Sequence, residues 1–146
     1  MNYPNYLFHS NLSSTEFFFE SIGSKGIINK VVAFQQTSVA TIYNLGLADY
    51  DPTTGEIDDT IITDNGDMEK ILATIFQIVL YYLSINPNHI VYFSGNSPSR
   101  TRLYRIAINH SLNELTVLID VLGVINLQPE PFTANRAYDG FLIRKK

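Results

Sequence analysis

Residues 90–113, IVYFSGNSPSRTRLYRIAINHSLN, constrain the fold more than any other stretch. Ile90 to Phe93 are β-branched or aromatic throughout, which predicts a strand buried on both faces. Gly95 and Asn96 tolerate the backbone angles of a sharp turn. Ser97 is a good helix N-cap, and Pro98 suits the first helical position, where a missing N–H costs nothing. The chain therefore passes from strand to helix within the short Ser94–Ser97 loop, and the helix should run over about 98–113. Leu103, Ile106, Ala107 and His110 share one stripe of it, while Arg102, Arg105 and Asn109 share another.

Arg100, Arg102 and Arg105 crowd the first two turns of that helix. A cation in the first turn opposes the helix dipole by roughly 0.3–1 kcal/mol, where an anion would be favoured. Something negative should compensate. One source is a small anionic ligand, such as a phosphorylated one, held by Arg100, Arg102 and Arg105 with the Ser97 and Ser99 hydroxyls at the free N–H groups. The other source is the chain's own carboxylates. Residues 49–69 carry eight Asp and Glu with no Lys or Arg, and Asp58, Asp59 and Asp67 are the candidate partners.

Those readings give three functional classes. The first is a binding module for an anionic, phosphate-type ligand. The second is a protein–protein module or homodimer in which the Arg/Asp network is structural. The third is an enzyme that uses the carboxylates with a divalent metal; an acidic cluster of this kind suits Mg²⁺ or Ca²⁺. No cofactor is implied by any motif.

Composition narrows the field. With 146 residues, 45% hydrophobic and 16% charged, the chain reads as one globular domain with a sizeable core. A net charge of −4 argues against nucleic acid and anionic membrane as partners. There is no cysteine, which removes disulfides, thiol nucleophiles and thiolate metal sites together. That suits a cytoplasmic protein, as does a start without the basic region of a signal peptide.

Taken in order, the first strand should lie in Tyr6–Phe8, in Phe17–Phe19, or in both. Gly23–Gly26 reads as a hairpin loop before a second strand over Ile27–Phe34. Val39 to Ala48 alternate with period two, predicting a third strand, and Asp51-Pro52-Thr53-Thr54-Gly55 is a turn. A short strand is expected around Ile57–Ile62. Met68–Ile85 reads as a helix apolar nearly all round, which places it centrally in a core, and Asn86-Pro87 ends it. Its apolar run is too short and interrupted for a membrane span. Leu115–Leu122 and Phe141–Ile143 read as strands, and Gln128-Pro129-Glu130-Pro131 as a loop.

Familiar motifs fail in detail. A nucleophile elbow needs Gly-x-Ser-x-Gly, whereas Gly95-Asn96-Ser97-Pro98-Ser99 lacks the second glycine. A phosphate-binding Gly-Lys-Ser/Thr ending is absent. Counted from Asp49, the calcium-loop glycine and glutamate positions hold Thr54 and Thr60. His9, His89 and His110 lack metal-ligand spacing.

The segments Ile57-Asp58-Asp59-Thr60, Asp64-Asn65-Gly66-Asp67, Glu69 to Thr74, Ser94 to Ser97 with Arg100 to Arg105, and Tyr138-Asp139-Gly140-Phe141 occur in an order similar to that of a family of short uncharacterised bacterial proteins. The likeness spans nearly the whole chain. It implies a bacterial single-domain protein and no particular chemistry. The expected architecture is α+β: a mostly antiparallel sheet of six or seven strands, with helices over about 68–85 and 98–113 packed mainly on one face. The alternative is a small open barrel around the first helix.

Overall fold

The structure, a computed structural model, describes residues 4–58, 64–95 and 97–146, leaving aside the side chains of 111–113, 115 and 116. Its elements are His9–Ser10 (β1), Glu16–Gly23 (β2), Gly26–Gln36 (β3), Ile42–Tyr50 (β4), Ile57–Asp58 (β5), Met68–Ile85 (α1), Ile90–Phe93 (β6), Pro98–Leu118 (α2), Ile119–Ile125 (β7), Gln128–Pro131 (β8) and Gly140–Lys145 (β9). The fold is α+β. Nine strands form a mixed, mostly antiparallel sheet in the order β1-β2-β3-β4-β6-β9-β7-β8, with β5 paired to β4. Only β4 and β6 are paired in parallel among the described registers. Parallel neighbours need a long crossover, and α1 lies on the chain between them.

The strand count exceeds the expected six or seven because β1, at two residues, is too short to leave a periodic pattern, and because β8 falls where a loop is expected. The strand expected over Ile57–Ile62 begins at Ile57, and its residues beyond Asp58 lie outside the described set. The Gln128–Pro131 stretch is also a strand, contrary to the loop expected from its prolines. Its register pairs Val124 with Pro129 and Leu122 with Pro131. Prolines two apart face the same way. The Phe132 amide donates to Val121 O at 3.3 Å, so the even positions turn inward and the two prolines face outward, where an edge strand tolerates them. Leu115–Leu118 continues α2, and the strand begins only at Ile119.

The chain divides into two compact units. One comprises, of the described residues, those in 4–35 and 45–82. Its hairpin closes where Gly23 pairs with Gly26, leaving Ser24-Lys25 as the turn. Side chains alternate along β2: Phe17, Phe19 and Ser21 are buried, while Phe18 is half-buried and Glu20 and Ile22 are exposed. The inward face meets α1 through rings. Phe34 stacks on Tyr82 with centroids 3.8 Å apart, and Phe17 meets Tyr81 edge-on at 5.9 Å. Lys30 is wholly buried within this unit and pairs with Asp49 at 2.5 Å. A buried ammonium costs several kcal/mol unless paired, so this ion pair is a condition of β3 being where it is.

The other unit comprises, of the described residues, those in 36–44 and 83–146. Its core is an aromatic cluster, in which Phe93 meets Tyr104 at 5.2 Å and Phe141 at 5.4 Å, and Phe132, Tyr138 and Phe141 pack together. Two glycines make room for rings. A Cβ on Gly123 would lie 2.2 Å from the Tyr138 ring, and one on Gly140 would lie 2.3 Å from the Tyr92 hydroxyl. Gly123 is thus a flat seat for Tyr138 inside β7. Ile90 and Tyr92 are half-buried, so β6 alternates between half-buried and buried residues and is not enclosed on both faces.

Candidate functional site

The Ser94–Ser97 loop winds tightly onto the first turn of α2. Ser97 Oγ accepts the Arg100 amide at 3.2 Å, the N-cap contact expected of it. Thr101 Oγ1 accepts the Gly95 amide at 3.0 Å and donates to Ser97 O at 3.1 Å. A Cβ on Gly95 would stand 2.4 Å from Arg100 Cβ and 2.5 Å from Thr101 N. Glycine is required there by proximity.

Thr101 shifts the buried face of the helix. Thr101, Tyr104, Ala107 and Ile108 point inward, whereas Leu103 and His110 are exposed and Ile106 is half-buried. The stripe read from Leu103, Ile106, Ala107 and His110 is therefore displaced by about one position. With its hydroxyl satisfied, Thr101 can be buried at little cost, and Tyr104 supplies the ring against Phe93. Hydropathy alone ranks neither residue above Leu103.

This rotation separates the three arginines. Arg102 and Arg105 join Pro98 and Thr101 along one wall of a cleft of about 360 Å³, faced by Ala137, Tyr138 and Asp139. Among the described residues neither guanidinium has a hydrogen bond or ion pair. Arg100 is turned elsewhere: its Nη1 is buried and has no hydrogen-bond partner among the described residues. Its charge is felt by Tyr104, whose hydroxyl pKa is pushed up by burial and partly drawn back by Arg100. Ser97 and Ser99 are exposed and do not line the cleft.

The opposite wall is fixed by hydrogen bonds. The Asp139 amide donates to Val124 O at 2.8 Å, and Asp139 Oδ2 accepts the Asn126 amide at 2.8 Å. Tyr138 rests on Gly123, and its hydroxyl accepts the Thr133 amide at 2.9 Å. A wall held this way is preorganised, which lowers the cost of binding. Chemically the cleft offers two guanidinium forks three residues apart on a helix, an arrangement suited to the planar oxygens of phosphate or carboxylate. Asp139 adds one acceptor for a hydroxyl or ammonium donor. Sequence reasoning missed the residues 137–139, which only the fold brings opposite the arginines.

The acidic candidates are placed as follows. Asp58 lies on β5 opposite Asp49, and Asp59 is outside the described residues. Asp67 Oδ2 accepts Tyr6 Oη–H at 2.5 Å and Ser21 Oγ–H at 2.6 Å, so these hydroxyls, and not arginines, are its partners. Among the described residues no three His, Asp or Glu side chains gather as metal ligands would. By length and composition α1 is apolar enough to cross a membrane, with a mean hydropathy of 1.4, although 56% of it is buried inside the protein.

The chain matches, over residues 2–146, the model of DUF6934, a family of unknown function, and it belongs to that family. No curated protein and no solved structure matches it.

Proposed function

We propose that this member of a family without an assigned activity is a binding module for a small anionic ligand of the phosphate or carboxylate class. The ligand would sit in the cleft between Arg102 and Arg105 on α2 and residues 137–139. One observation carries the reading: two guanidiniums line a cleft of about 360 Å³ without a carboxylate partner among the described residues. Ligand pockets begin at about this size. Asp139 narrows the class to anions that also carry a hydroxyl or amine donor.

Thermal unfolding in millimolar inorganic phosphate and in millimolar nucleotide tests the proposal. A ligand that binds only the native state raises stability by about 2.7 kcal/mol at a hundred times its Kd. The expected result is a saturable rise in Tm that disappears in the double variant Arg102→Ala, Arg105→Ala. No rise with any anion, or an equal rise in the double variant, would overturn it.

A further inference from the structure

We propose a second binding site, independent of the arginine cleft: an aromatic pocket on the outer face of the β2–β3 hairpin that takes a small organic ammonium cation. The alternation of β2 turns Phe17 and Phe19 toward α1, and so turns Phe18 and Glu20 away from it. The register sets Glu20 opposite Asn29 and Phe18 opposite His9. These four residues and Tyr50 line a pocket of about 320 Å³.

The pocket is built from rings. Phe18 stacks on His9 with centroids 5.4 Å apart and meets Tyr50 edge-to-face at 5.2 Å. Its lining holds one carboxylate, Glu20, and neither Lys nor Arg. Glu20 has no hydrogen bond or ion pair among the described residues. Its charge nevertheless reaches Tyr50, where it adds to burial in pushing the hydroxyl pKa up. Aromatic faces attract cations through the ring quadrupole, and an unpaired carboxylate beside them fixes the sign of the ligand. An anion is repelled here; a neutral apolar ligand leaves Glu20 unused. A quaternary or primary ammonium group satisfies both features. The chain already makes this contact internally, with Lys70 Nζ 4.3 Å from the centroid of the Tyr6 ring.

Choline, titrated into the intact protein and followed by two-dimensional NMR, tests the proposal. The amide signals of His9, Phe18, Glu20 and Tyr50 should move saturably in the millimolar range, and matched sodium chloride should not move them. The uncharged isostere 3,3-dimethyl-1-butanol should bind about tenfold more weakly, as should choline to Glu20→Gln. Glu20 is exposed, so that variant keeps the fold. Equal binding of the alcohol would reduce the pocket to an apolar cavity and overturn the proposal, as would a Glu20→Gln variant with unchanged affinity or the absence of saturation. Phosphatidylcholine vesicles that compete with free choline would place the cation on a lipid head group; vesicles that do not compete would leave it a free solute.

Discussion

Asn65 Oδ1 accepts the backbone amide of Lys25 at 2.7 Å, joining the approach to α1 with a turn 40 residues earlier in the chain. Asn65 Nδ2 donates to Gly26 O at 2.9 Å and to Ser21 O at 3.3 Å, and Asn65 O accepts the Ser24 amide at 3.1 Å. The chain passes so close that a Cβ on Gly23 would lie 1.9 Å from Asn65 O. Asn65 is buried, and its removal strands backbone groups away from water. Each stranded group costs about 1–3 kcal/mol, so Asn65→Ala should lower the unfolding free energy by about 3 kcal/mol or more. Urea unfolding measures it; a loss under about 1 kcal/mol would mean that water replaces the side chain.

Tyr138 and Gly123 form a paired fit. Gly123→Ala should destabilise by about 1–3 kcal/mol, since its methyl group would displace the ring and overpack the cluster. In a Tyr138→Leu background the same change should cost markedly less. A double-mutant cycle reads the coupling directly, and simple additivity would show that the glycine serves another purpose.

Alkaline pH should weaken the protein. Burial first, and then the hydrogen bond to Asp67, raises the Tyr6 pKa above its ordinary value, and burial raises those of Tyr50 and Tyr104 as well. An acid with a higher pKa when folded holds its proton better in the native state. Its contribution is complete below the unfolded value of about 10 and is lost as pH climbs through the folded value. Denaturant midpoints should therefore be steady with respect to these groups below about pH 10 and fall above it. Tyr6→Phe should start lower at neutral pH, by about 1–2 kcal/mol from lost hydrogen bonds, yet decline less steeply in base.

The start of α2 separates two roles that look alike in sequence. Ser97→Ala removes an exposed cap and should cost about 1 kcal/mol. Thr101→Val removes a buried hydroxyl that serves both Gly95 and Ser97, and should cost more, about 2 kcal/mol. Thermal unfolding of the two variants ranks them; the reverse order would contradict the bonding described for the loop.

Without ligand, Arg102→Ala should stabilise slightly, by about 0.2–0.5 kcal/mol, because it relieves a like-charge pair with Arg105 at helical spacing. The same variant should lose stabilisation by phosphate. Opposite signs in the two conditions would distinguish a binding residue from one that holds the helix in place.

Local chemistry made much of this legible. Met68–Ile85 and Ile90–Phe93 fall where periodicity and flanking turn residues place them, and Ser97 caps as its type suggests. The rest depended on what surrounds each stretch, near or far in sequence. Leu115–Leu118 is β-prone, but an established helix carries it forward as far as Leu118. A lysine amid the β-branched residues of β3 gives no sign that Asp49 will meet it. Three arginines on one short stretch look like a single cluster until Thr101 and Tyr104 fix the helix rotation and send Arg100 inward. Tyr138 and Asp139 belong to a segment that carries family likeness but no particular chemistry, and the pairing of β7 with β9 brings them to the cleft.

The outward-facing prolines of β8 have a consequence for crowded solution. A strand whose free side lacks amide hydrogens at Pro129 and Pro131 offers an incoming chain little to zip onto, so the sheet is terminated at that border. Replacing both with threonine would restore a continuous ladder of donors and turn a stop into a template for fibrils.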